Sequence, residues 1–131
     1  MKVYLTREFD RFAAKNAISD QALRDAVARA ESGLVDAHLG GPIIKQRVAR
    51  AGQGRSRGHR VVLVFRRGAL AVYVHGFSKS AKANLSRAEQ EAFGEFGKIV
   101  IALSGAELSA LEKRQKWRRL DFGQSREKVS E

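Results

Sequence analysis

Lys45 and Arg47 stand two residues apart in the apolar run IIKQRVA (43–49). In a strand, that spacing puts both cations on one face. Arg60 opens a second such run, HRVVLVFRR (59–67), and Lys79 follows a third, ALAVYVHGF (69–77), by two residues. If the three runs are neighbours in a sheet, four cations converge on one side of it. The segment GQGRSRG joins the first two runs and adds Arg55 and Arg57. Its glycines free the backbone to approach a phosphate closely.

No carboxylate accompanies these cations. Between Asp36 and Glu89 lie eleven lysines and arginines and no acid, while the other fourteen bases are matched by fourteen acids. The whole net charge of +11 therefore resides in the middle of the chain. Such a block meets a polyanion or an acidic protein partner. It excludes paired-carboxylate acid–base chemistry from this region. Cations alone suffice to cleave RNA, whose 2′-hydroxyl is a built-in nucleophile. Arginines can clamp the phosphate and stabilise the charge of the phosphorane. A lysine among cations can lose its proton and accept another. Each transition-state donor of this kind is worth on the order of 10²–10³ in rate.

Other chemistries find less support. Gly52, Gly54 and Gly58 lack the spacing of a dinucleotide-binding turn, lie between two strands, and precede no Gly-Lys-Ser/Thr. The chain has no cysteine, which removes disulfides, thiol nucleophiles and thiolate zinc sites and fits a reducing cytoplasm. His38, His59 and His75 show no metal-ligand spacing. No cofactor is expected. No uncharged run approaches the ~20 residues of a spanning helix, and MKVYLTREFDRF has no signal-peptide core.

The elements that must position the cations follow from periodicity. KVYLT (2–6) reads as a first strand and residues 8–16 as a short helix. Ser19 caps a second helix on which Leu23, Ala26, Val27 and Ala30 share one face, and Gly33 stops it. After the turn LGGP (39–42), the period becomes that of strands two, three and four, at 43–49, 59–67 and 69–77. Strands three and four are apolar on both alternating sets, so both faces should be covered. SRAE (86–89) and SGAE (104–107) have the capping-box spacing and start two more helices. The second of these turns basic along LEKRQKWRRL, and the end, DFGQSREKVSE, reads as frayed. At 131 residues one core is expected. Helices, a sheet and then helices make an α+β domain.

Together, IIKQRVARAGQGRSRGHRVVLVFR and VHGFSKSAKANLS resemble the RelE/HigB toxins of bacterial type II toxin–antitoxin modules. The resemblance covers residues 1–110, leaving 111–131 as a basic helical extension and tail. It implies a microbial-RNase-like fold, with N-terminal helices packed on a twisted antiparallel sheet and C-terminal helices after it. It also implies a ribosome-dependent endoribonuclease that cuts mRNA, stops translation and is neutralised by a cognate antitoxin. By motif, Lys45, Arg47, Arg60 and Lys79 take the catalytic positions. Arg50, Arg55, Arg57, His59 and Lys82 take RNA-contacting ones. Ser80 stands where some relatives carry a catalytic arginine, and Ser86 near where some carry a stacking tyrosine. A non-catalytic gyrase-type inhibitor and a plain RNA-binding module remain the alternatives on the same scaffold.

Overall fold

The computed structural model describes residues 1–49, 58–78 and 85–121. Strand β1 (Lys2–Leu5) leads into helices α1 (Arg7–Lys15) and α2 (Asp20–Glu31). Strands β2 (Ala37–His38), β3 (Ile43–Val48), β4 (His59–Arg66) and β5 (Leu70–Ser78) follow. Helices α3 (Arg87–Ile101) and α4 (Gly105–Gln115) and strand β6 (Arg118–Arg119) complete the described chain. The described strands form one sheet in the order β2-β3-β4-β5-β1-β6.

Helix starts are set by local chemistry. The Thr6 and Ser19 hydroxyls accept from the backbone N–H groups of Phe9 and Ala22 at the starts of α1 and α2. Ser86 and Ser104 form complete capping boxes with Glu89 and Glu107 at the starts of α3 and α4. The two SxxE signals in the sequence thus mark true helix starts.

The sheet is antiparallel from β2 to β5, as expected, and becomes mixed at β1. β2 through β5 are antiparallel neighbours, but β1 runs parallel to β5, Lys2 opposite Leu70 through Leu5 opposite Tyr73. Two helices and three strands separate β1 from β5, so no hairpin dictates the direction of that pair. β6 then pairs antiparallel with β1. The basic run beyond α4 is therefore not all helix. The helix ends at Gln115, Lys116 takes a left-handed conformation, and Trp117–Leu120 returns to the sheet edge.

Both faces of the sheet are covered. On one, Val3, Leu5, Ile44, Val61, Leu63 and Tyr73 pack against Phe9, Leu23 and Val27 of α1 and α2. The buried Tyr73 hydroxyl donates to the Leu23 carbonyl at 2.6 Å. On the other, Tyr4, Ile43, Val62, Val64 and Val72 pack against α3, α4 and Trp117. Gly97 lets α3 sit close to the sheet: a Cβ there would lie 2.9 Å from side-chain atoms of Ile43 and Pro42. The double apolar character of β4 and β5 reflects these two layers.

Candidate functional site

Alternation along β3 sends Ile44 and Val48 to the α1–α2 layer and Ile43 to the α3–α4 layer. Lys45 and Arg47 share the side of Ile43. In β4, Val61 joins the first layer and Val62 the second, so Arg60 shares the side of Val62. The register places Arg47 directly opposite Arg60, and Lys45 opposite Val62. Two guanidinium groups thus stem from one cross-strand pair, an arrangement that repels unless an anion intervenes.

Neither arginine is neutralised in the same way. Asp36 accepts from the Arg47 backbone N–H at 2.7 Å and from its Nη2 at 3.3 Å. The Arg29 guanidinium pairs with Asp36 at 3.8 Å and donates to the Arg47 carbonyl. Burial pushes the Asp36 carboxyl up, but the Arg47 N–H and the two guanidiniums outweigh it and hold it below its ordinary value. Asp36 therefore stays ionised and holds Arg47 at both backbone and side chain, while the Arg47 side chain remains 45% exposed. Arg60 is half-buried, and its Nη1 is buried with no hydrogen-bond partner among the described residues. A buried donor without an acceptor is costly and calls for one. An oxyanion at this sheet end could be met by both guanidiniums with charge-assisted bonds of the strong, geometrically selective kind.

His59 does not join this group. It is 1% exposed on the opposite face, with its ring edge-on to Phe12 at 5.6 Å. Arg50, Arg55, Arg57, Lys79 and Lys82 lie outside the described residues. So does Ser80. The segments that hold them depart from Ala49 and Ser78 and rejoin at Gly58 and Leu85. Val48, His59 and Ser78 are in register, so three of those four junctions lie at the sheet end that carries Arg47 and Arg60. Ser86 serves as the cap of α3. Trp117 packs between Tyr4, 5.7 Å away, and Phe96, 6.3 Å away.

The sequence reading named Asp36 and His75 but placed neither at the site. Asp36 has a visible signal, being the last acid before the acid-free block. His75 has a fainter one. A register shift between Val62 and Leu63 leaves Val74 as an extra residue of β5, so Val62 pairs with His75. Such a bulge re-aims the side chains after it. His75 and Phe77 consequently share the side of Val62 and Arg60, and His75 lies 5.3 Å from Phe93 of α3. Gly76 faces the other way, where a Cβ would meet the Phe12 ring at 2.3 Å. A glycine within a strand is the usual sequence mark of such a site.

Among the described residues, no group of three or more His, Asp or Glu could hold a metal ion. No helix among them is long and apolar enough to cross a membrane.

A mixed sheet between two helical layers, with cations aligned at one end and no acid in the strands that carry them, is the build of a RelE-type toxin. Residues 1–119 match the family model for the RelE toxin of the RelE/RelB toxin–antitoxin system, and the chain belongs to that family. It is a toxin of a toxin–antitoxin system, and its family implies a cognate antitoxin as partner. No curated protein matches the chain.

Proposed function

We propose that this toxin is an endoribonuclease that cuts mRNA on the ribosome, in the cytoplasm, and so stops translation. The observation that carries the reading is the Arg47–Arg60 cross-strand pair with its unsatisfied buried guanidinium nitrogen. A scissile phosphate seated there would accept from both arginines. The 2′-oxygen of the adjoining ribose attacks phosphorus, and the bond to the 5′-oxygen breaks. The products are a 2′,3′-cyclic phosphate and a free 5′-hydroxyl. The charge that gathers on the non-bridging oxygens during attack is what the guanidiniums stabilise, so they act more strongly on the transition state than on bound RNA. Lys45, beside them on the same face, and Lys79, after β5, are the candidates for moving the proton. No metal or organic cofactor enters this scheme.

The basic residues Arg50, Arg55, Arg57 and Lys82 extend the contact along the RNA backbone in this reading. His59 contributes from within the core, by seating the start of β4 against Phe12. The antitoxin neutralises the toxin by covering the same basic face with an acidic or amphipathic segment. The test is cleavage of a defined mRNA on programmed ribosomes by wild type and by Arg60→Ala. The cuts should be lost in the variant while its circular dichroism spectrum is unchanged. A folded wild type that arrests growth without cutting RNA would favour the gyrase-type alternative.

A further inference from the structure

β1 stops at Leu5, opposite Tyr73, so among the described residues no strand pairs with the outer edge of β5 beyond it. The space left there is a groove of about 570 Å³ between the sheet, α3 and the end of α4. Its wall includes His75, Phe93 and Trp117, and Glu8 and Gln115 stand at its rim. That volume lies within the range of small-ligand sites. We propose that this groove binds one nucleobase of the RNA whose phosphate is held by Arg47 and Arg60. The inference rests on the ribonuclease reading above and extends it to a base subsite.

Three observations point to a base rather than to an apolar side chain. The first is continuity with charge. Arg60 pairs with Phe77, and the next residue on that face of β4, Val62, pairs with His75. Two residues along the strand and one strand across separate the Arg60 and His75 positions by roughly 8 Å, within the reach from a phosphate to the base of a neighbouring nucleotide. The second is the lining. His75 and Phe93 lie 5.3 Å apart with planes inclined by 36°, and every base can stack on such rings. The third is the rim. Glu8 can accept from an exocyclic amino group, and the Gln115 amide can donate and accept. The bulge at Val74 links groove and cation pair, because without it His75 would face the α1–α2 layer.

Trp117 is the single tryptophan of the chain and lines the groove, so its fluorescence reports on the occupant. The experiment titrates the full-length toxin with a 2′-O-methyl oligoribonucleotide, which cannot be cleaved, and with its abasic counterpart. The base-bearing strand should bind at least about fivefold tighter, the lower bound for one lost base–aromatic stack. It alone should quench Trp117. Phe93→Leu should remove most of that preference while leaving the abasic affinity and the circular dichroism spectrum unchanged. Equal affinity and equal fluorescence with the two strands would overturn the base subsite and leave the ribonuclease reading standing. Quenching by the cognate antitoxin but not by the RNA would overturn it in favour of a protein occupant. Failure of both strands to bind a toxin that still cuts mRNA on programmed ribosomes would overturn the base subsite alone, and loss of that cutting as well would remove the RNA reading.

Discussion

The Arg47–Arg60 pair shows how much of a site can rest on one carboxylate. Asp36 holds Arg47 by its backbone and its side chain, yet leaves the rest of the guanidinium to solvent. Asp36→Ala should lower cleavage by about tenfold, the scale of a lost hydrogen bond to a charged group. Asp36→Asn, which keeps an acceptor for the Arg47 N–H, should fall between variant and wild type. Single-turnover rates on ribosome-bound mRNA would check this, and an unchanged rate in Asp36→Ala would show that Arg47 needs no such hold. Gly76 makes a separate point. Gly76→Ala would drive a Cβ into Phe12, and overpacking of that kind costs about 1–3 kcal/mol or more. Denaturant melts should show the loss, and adding Phe12→Ala should relieve part of the strain. At this scale much was readable in the sequence. Period-two spacing already put Lys45 and Arg47 on one face, and the same rule sends His59 to the face opposite Arg60. The fit of Gly76 against Phe12 was not readable, because it joins a strand to a helix more than 60 residues earlier in the chain.

Elements with strong local signals appear where the sequence places them. The four capped helices and the long strands are set by periodicity and by Thr or Ser at N-caps. The two-residue strands β2 and β6 are too short to show a period. β6 is instead fixed by long-range contacts. Arg118 bonds to Asp20 at 2.9 and 3.1 Å and to Asp10 at 3.1 Å, tying β6 to α1 and α2. Hydrogen bonding from Arg118 holds the Asp20 carboxyl below its ordinary value. A depressed carboxylate contributes stability above its unfolded pKa of about 3.9, and that contribution is lost as pH falls through the lower folded value. The gap in melting temperature between wild type and Arg118→Ala should therefore hold at neutral pH and close below about pH 4. Both partners are about two-fifths exposed, so the gap should be small, no more than about 1 kcal/mol, and should shrink with salt. A gap that widened in acid would contradict the latch.

Across the whole molecule, the acid-free stretch between Asp36 and Glu89 builds the strands that carry the site. Within that stretch, Arg47 and Arg60 stand at one sheet end, whereas Arg66 lies at the other, opposite Leu70. Binding to single-stranded RNA should weaken with salt at a log–log slope of roughly −0.7 per phosphate neutralised. Arg47→Ala and Arg60→Ala should each reduce that slope by about one such increment, whereas Arg24→Ala, on α2 in the layer covering the opposite sheet face, should not. Fluorescence anisotropy at several salt concentrations would show it. The mixed direction of the sheet was hidden from the sequence for a reason that belongs to this scale: β1 pairs with β5 and β6, both far from it in sequence. The family membership, by contrast, was legible because its motif residues cluster in the strands that local patterning already identifies.

The most direct test is primer extension on a defined mRNA with programmed ribosomes, comparing the purified wild-type toxin with Arg60→Ala. The expected result is discrete cuts with wild type and a loss of at least about 10² in their rate with the variant, both proteins being equally folded. Equal cutting by the two proteins would take Arg60 out of the chemistry and contradict the site described here.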